Sequence, residues 1–382
     1  MTRVLIVGVS TRGLAESAAR AGYDVLAVDG FGDLDLRARA RSVTVARRWG
    51  GRFSIRAAVA AAGGEGGLAA EMVCYVGSFE NHPRAVGALA TGRILWGNRP
   101  AVLSAVRDPV RLARALALRG LPTPAVRIAA PRRAAPATRG RWLVKPRGSG
   151  GGSGVAPWRG GALPRGSYLQ HRIAGTPGSV VFAADGRRAL PLGVSRALTG
   201  DPAFGADGFR YCGSVLVTPD QPLFDNACRL ATVVTEAFGL VGVNGIDFVA
   251  RGDVPYAVEV NPRYCASMEL VERERGISIF ELHAGACGGA LPDVAPAGAS
   301  PTELLGKAIV YAREDVVPEE TERWLEDDDI RDVPPPGEPI ARGRPICTLF
   351  ARGRTPVACR AALVARARTL YRSLEAHSRR RA

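Results

Sequence analysis

The chain has 382 residues, of which 47% are apolar and 23% charged, so it is long enough for two or three domains and too apolar for disorder. Its 51 basic residues give a net charge of +15, which first raises the question of a nucleic-acid or anionic-membrane partner. Only two of them are lysines, Lys145 and Lys307, and the arginines run along the whole chain. The Arg-rich stretches 37–48 and 127–141 contain almost no aromatic residues for base stacking. The expectation is a solvated basic surface with no specific nucleic-acid partner, a polyanionic substrate being the alternative.

The opening MTRVLIVGV reads as a strand and turn rather than a signal peptide. No apolar stretch approaches the ~18 residues of a membrane span. The seven cysteines show no C-x-x-C spacing, which argues against zinc and redox motifs and for reduced thiols in the cytoplasm.

In chain order, 4–9 (VLIVGV) predicts a buried strand, followed by a turn at Ser10 and Thr11 and a helix over 12–21. Further strands are predicted at 24–29, 72–77 and 94–96. Alternation of strand and helix implies a parallel α/β sheet, so 1–100 is expected to be a Rossmann-like domain. A helix at 110–119 runs into Gly120, Pro122 and Pro124, which mark a boundary. Residues 128–140 suggest a loop. From 141 to 185 the pattern is strand, glycine loop, strand, turn, strand, expected to form a small antiparallel lid. A helix at 225–239, strands at 243–250 and 255–261, and helices at 267–275 and 278–287 follow. The stretch 289–302 is linker-like, and 303–382 offers strand pieces (KAIVYAR, ICTLFARG) and a helix from about 356 to 377. The domains expected are therefore 1–100, 101–295 with a lid at about 125–185, and 296–382.

Three constellations could carry chemistry. Lys145 ends a strand and leads into Gly148-Ser-Gly150-Gly151-Gly152-Ser-Gly154. Glycines let backbone N–H groups approach phosphate oxygens, and the lysine adds a point charge. The lysine precedes the glycines, so this is not the G-x-x-x-x-G-K-[ST] loop, and a flexible linker is the plain alternative. The second constellation is Asp247, Glu259 and Asn261, each in an apolar strand, with a Gly-Asp turn between the two acids. A hairpin would set two carboxylates and an amide oxygen on one sheet face, a hard oxygen site suited to Mg²⁺ together with phosphate oxygens. Ordinary edge-strand carboxylates are the alternative. Arg263, two residues beyond Asn261, could stabilise a transferring phosphoryl group. The third is the first βα turn, Gly8 to Gly13 with Ser10 and Arg12, at a helix N-terminus suited to anions. Asp29, Glu80 and Asn81 follow neighbouring strands, where open α/β sheets bind small substrates. No two of the four histidines have ligand spacing.

In combination and order these pieces resemble the ATP-grasp superfamily: a Rossmann-like preface, a helix ending in G-L-P-T-P, a strand-Lys-Pro-Gly loop, a hinge strand, and D followed by E-V-N-P-R. The opening VGVSTRGLAESAARAGYDVLAVDGFGDLD and the ending GRPICTLFARG are similar to a branch of predicted ATP-dependent carboligases related to biotin carboxylase. That branch is similar to proteins linked with tetrahydromethanopterin- or methanofuran-dependent one-carbon metabolism.

The resemblance implies an α/β fold with a Rossmann-like N-terminal domain, an ATP-grasp central domain with a lid, and a small C-terminal α+β domain. It implies ATP as cosubstrate with one or two Mg²⁺, with Mn²⁺ as an alternative metal. Lys145 would contact ATP phosphates, and Gly148, Gly150, Gly151, Gly152 and Gly154 would close over them. Gln170, His171, Arg172 and Ile173 would form the hinge strand that holds adenine. Asp247, Glu259 and Asn261 would bind the metal, and Arg263 would face the γ-phosphate and an acyl phosphate. Ser10, Arg12, Glu80, Asn81 and Arg263 would meet the substrate. The implied reaction is ATP-dependent ligation of a small-molecule carboxylate and an amine through an acyl phosphate, in a cytoplasmic enzyme with a homodimer as one possible assembly. Relatives carry an Asp-Lys pair opening the helix before G-x-P-x-P, and that lysine touches phosphate. Here the stretch is Arg107-Asp108-Pro109, so the lysine is absent and Arg111 or another arginine could take its place. The departure keeps open a nucleotide-binding protein without turnover, regulatory or scaffolding.

Overall fold

The computed structural model describes residues 2–47, 51–64, 67, 69–129, 141–218, 222–293 and 302–381. Most of the expected loop 128–140 and of the expected linker 289–302 lies outside the described residues.

The N-terminal sheet has five parallel strands: β1 (Arg3–Val7), β2 (Asp24–Asp29), β3 (Ser42–Val45), β4 (Met72–Tyr75) and β5 (Ile94–Trp96), in the order β3-β2-β1-β4-β5. β1 and β2 are continuous apolar runs because helices cover both faces. Leu5, Val7, Leu26 and Val28 pack into one layer, and Val4, Ile6, Val25 and Ala27 into the other. The order reverses at β1, which puts the carboxyl ends of β1 and β4 side by side. The edge strand β3 was not foreseen; its SVTV is largely exposed and carries little apolar signal.

A four-stranded antiparallel sheet follows, β6 (Val126–Arg127), β7 (Trp142–Pro146), β8 (Ala156–Pro157) and β9 (Ser167–His171), in the order β6-β9-β7-β8. This is the antiparallel unit expected as a lid, but it is shorter than 125–185. The run SVVFAAD belongs instead to β10 (Thr176–Asp185), a central strand of the largest sheet. The reason is burial on both faces. Val180, Phe182 and Ala184 meet the helix Pro222–Phe238, while Val181 and Ala183 meet the helices Met268–Arg275 and Ile279–Cys287.

That sheet contains β10, β11 (Ala189–Thr199), β12 (Tyr211–Leu216), β13 (Val241–Arg251), β14 (Val254–Asn261), β15 (Leu304–Tyr311), β16 (Ile330–Arg331) and β17 (Pro345–Gly353). Its order is β14-β13-β10-β11-β12-β15-β17-β16. The strands after residue 303 thus continue the central sheet through the β12–β15 pairing, Gly213 opposite Ala308. The helix Pro356–Arg381 packs on them through Leu363, Ala367 and Leu370 and runs beyond the expected end at 377. No described helix is long and apolar enough to cross a membrane.

Candidate active site

A cavity of about 490 Å³ lies between the lid sheet and the β13–β14 hairpin. Lys145, Gly151, Gly152, Gln170, His171, Arg172, Ile173, Asp247, Glu259, Asn261 and Arg263 line it. The two main constellations found in the sequence therefore face one space.

The hairpin builds one wall. β13 and β14 pair antiparallel with Asp247 directly opposite Glu259 and Gly245 opposite Asn261, and a bulge follows Asp247. Residues opposite each other in a ladder point to the same face, so both carboxylates and the amide face the cavity. Asn261 donates from Nδ2 to Asp247 at 2.9 Å. Burial and the neighbouring Glu259 push the Asp247 carboxyl up to about 6. Burial pushes Glu259 the same way, but Arg107 and Lys145 outweigh it and hold that carboxyl below its ordinary value. Among the described residues no group of three or more His, Cys, Asp and Glu side chains could hold a metal ion alone. Two carboxylates and an amide oxygen fit a Mg²⁺ that completes its shell with phosphate and water oxygens.

The lid builds the other wall. Lys145 is 8% exposed and donates from Nζ to Gln170 Oε1 at 3.1 Å, and Gln170 donates from Nε2 to the Val258 carbonyl. Burial lowers the Lys145 pKa, while Glu259 and Asp247 act against that shift. The glycine loop docks on the segment before β12. Tyr211 N–H donates to the Gly151 carbonyl at 3.0 Å, and a Cβ at Gly152 would meet the Phe209 carbonyl. Gly148, Gly150 and Gly154 are not among the cavity-lining residues. In the hinge, the N–H groups of His171 and Arg172 donate to Ala125 and Arg141 carbonyls.

Arg263 directs Nε and Nη2 to Glu80 Oε1, Nη1 to the Tyr264 carbonyl, and a second Nη2 hydrogen to Asn261 Oδ1. Burial opposes its charge, but its anionic surroundings, Glu80 first among them and Asp247 with it, together outweigh that and raise its pKa. Asn81 accepts from Arg107 at 2.8 Å. Glu80 and Asn81 thus reach the site through its arginines and are not themselves among the cavity-lining residues.

Two of the expected substrate residues lie elsewhere. Ser10 is exposed and outside the cavity lining. Arg12 is 2% exposed and tied to Glu16, Asp35, Glu269 and Asp332, because its helix faces the helix Met268–Arg275 and the segment after β16. That network includes Lys307, which donates to Glu269 at 2.6 Å. Arg12 therefore joins the first and last parts of the chain rather than meeting the cavity.

Sequence reasoning passed over Arg107. It lines the cavity, pairs with Glu259 and donates to the Val260 carbonyl at 2.9 Å. Arg111, offered as a substitute for the missing lysine, is exposed on the next helix and is not among the lining residues. The available signal was position: Arg107 is the last residue before the Asp108 cap of Pro109–Leu118, the helix that ends before Gly120-Leu-Pro-Thr-Pro.

Residues 106–267 match the ATP-grasp domain family, and the chain carries an ATP-grasp domain there. An uncharacterised protein of Methanocaldococcus jannaschii is 29% identical over 142 residues, covering 37% of this chain and 34% of that protein. Among solved structures, pyruvate carboxylase of Rhizobium etli aligns with a TM-score of 0.72 at 14% identity, over 94% of this chain and 36% of that one. The biotin carboxylase domain dimer of Hydrogenobacter thermophilus 2-oxoglutarate carboxylase, solved with MgADP, ADP and bicarbonate, aligns with a TM-score of 0.70 at 14% identity, over 92% and 86%. N5-carboxyaminoimidazole ribonucleotide synthetase of Thermotoga maritima aligns with a TM-score of 0.65 at 16% identity, over 96% and 98%. The chain thus spans about a third of the first two proteins named and nearly all of the last. At these identities the structural likeness establishes the fold, an α/β architecture of the biotin carboxylase kind.

Proposed function

We propose, taking the ATP-grasp domain as premise, that this protein is an ATP-dependent carboxylate–amine ligase working through an acyl phosphate. The observation that carries the reading is the facing of Asp247 and Glu259, in register on one hairpin, with Lys145 across a single cavity. Acids on one wall and a buried lysine on the other suit a metal–phosphate assembly.

Lys145, held by Gln170, would place its charge against nucleotide phosphate. The glycine loop, docked through Gly151 and Gly152, would cover the phosphates and exclude water, which an acyl phosphate requires. The adenine edge would meet the Ile173 N–H, since those of His171 and Arg172 already donate within the lid. Asp247, Glu259 and the Asn261 amide would hold Mg²⁺, which when bound neutralises charge on the transferring phosphoryl group. Arg263, fixed by Glu80, would add positive potential where the γ-phosphoryl group meets the substrate carboxylate. The amine would then displace phosphate from the acyl carbon, giving amide, ADP and phosphate. A place in biosynthesis of a one-carbon cofactor remains part of this reading, on the family resemblance alone.

The test is ADP release from ATP and Mg²⁺ by the purified protein, against paired carboxylates and amines. Release that needs both substrates and vanishes in Glu259→Gln is expected. Nucleotide binding with no release in any pairing would favour a nucleotide-binding protein without turnover.

A further inference from the structure

Arg107 sits at the joint between the helices Pro100–Val106 and Pro109–Leu118, and three separate segments converge on its guanidinium. Nη1 donates to Glu259 and to the Val260 carbonyl of β14. Nη2 donates to Asn81 Oδ1 at 2.8 Å and to the Ser149 carbonyl of the glycine loop at 3.1 Å. The arginine is therefore tied at once to the expected metal carboxylate, to the turn after β4, and to the flap. Its Nε is buried and has no partner among the described residues.

A cation already occupies the position from which a metal ion would neutralise Glu259. Two positive charges cannot share that carboxylate closely without strong repulsion in a buried site. A metal arriving alone must therefore displace Arg107, leaving a largely buried guanidinium without the carboxylate it is bonded to, which is costly. A nucleotide changes this balance, because its phosphates supply the negative charge Arg107 would lose, and the unpaired Nε is a donor ready for an oxygen.

We propose that Arg107 is the resident counter-ion of Glu259, and that it keeps the metal site closed until nucleotide phosphates draw the guanidinium away. The inference rests on the assignment of Asp247 and Glu259 as metal ligands made above. Metal and nucleotide then each strengthen the binding of the other. Release of the Ser149 carbonyl in the same movement couples metal entry to the glycine flap.

The experiment measures Mn²⁺ binding by electron paramagnetic resonance in the absence of nucleotide, for wild type, Arg107→Gln and Arg107→Gln/Glu259→Gln. Arg107→Gln should bind Mn²⁺ on the order of tenfold more tightly than wild type, the factor expected when a site is blocked in nine molecules of ten. The added Glu259→Gln should abolish that gain. Arg107→Met, which keeps the aliphatic stem and drops the charge, takes the place of Arg107→Gln if melting curves show that variant unfolded. Equal Mn²⁺ affinity in wild type and variant overturns the proposal, as does a gain that survives Glu259→Gln. Nucleotide-free Mn²⁺ binding through Glu259 in Arg107→Gln, with no ADP release from wild type in any substrate pairing, upholds the lock and sinks the ligase reading alone.

Discussion

Arg263 gives its Nε and Nη2 hydrogens to a single oxygen of Glu80, at 3.1 and 2.9 Å, and the accepting Glu80 side chain is 1% exposed. The pair joins the turn after β4 to the segment after β14, residues 183 apart in sequence. The other Glu80 oxygen is buried and has no hydrogen-bond partner among the described residues. Glu80→Ala should leave a largely buried guanidinium without its carboxylate partner and cost up to about 3–5 kcal/mol. Arg263→Met in the same chain should return part of that loss. Urea unfolding of the two single variants and the double variant checks it, and strict additivity would show that the pair is not coupled.

The wall of the cavity gives a kinetic prediction. Glu259→Gln keeps shape and removes the charge that Arg107 and Lys145 stabilise. It should lower ADP release by more than about 100-fold, the upper range for changes outside the ligand set itself. Lys145→Met should weaken nucleotide binding while leaving the fold intact, since the one hydrogen-bond partner of its ammonium among the described residues is the Gln170 amide, and its backbone pairing with Tyr168 is kept. Calorimetric titration of ADP separates the two variants: a Lys145→Met protein that binds ADP as wild type does would remove the lysine from the phosphate site.

Much of this site was legible in the sequence because its residues stand in runs with clear periodicity. Asp247 and Glu259 interrupt apolar strands joined by a short turn, so their facing followed from hairpin geometry. Lys145 stood out as one of two lysines in an arginine-rich chain. Arg107 could not stand out for the same reason; only its contacts separate it from its many neighbours of the same type. Arg12 misled because a helix N-terminus is a fair anion site in isolation. Its carboxylate partners Glu269 and Asp332 lie 257 and 320 residues away, beyond any local pattern. The run SVVFAAD reads as a lid strand in sequence because a short apolar stretch does not reveal whether one face or both will be covered.

The flap can be tested at Gly152, which has φ of +77° and packs so closely on the segment before β12 that a Cβ would overlap the Phe209 carbonyl. Gly152→Ala meets both a left-handed backbone and a steric block, and should cost about 1 kcal/mol or more locally. The loop should undock, with faster proteolysis within 147–154 and weaker ADP binding, while the melting temperature of the rest of the protein changes little. Proteolysis at the wild-type rate would show that the docking contact is dispensable.

The last prediction concerns pH and the packing behind the site. His283 is fully buried; its Nδ1 accepts from the Val243 N–H at 3.0 Å and its Nε2 lies 3.2 Å from the Trp96 carbonyl. Nδ1 is the acceptor, so Nε2 carries the proton and donates to Trp96, which fixes the neutral tautomer between β13 and β5. Burial pushes the ring down to about 4 from an ordinary 6.5, with the Trp96 bond acting the other way. The unfolded chain therefore takes up a proton as pH falls below 6.5, and the folded chain resists until about 4. The stability this histidine contributes is complete above 6.5 and declines between those limits, by up to about 3 kcal/mol. His283→Gln removes the titration while keeping a polar side chain. Urea unfolding of both proteins between neutral pH and pH 4 should show wild type losing its advantage over the variant as acid is added. A difference that stays constant across that range would mean that His283 is charged in the folded protein or that another group carries the acid sensitivity.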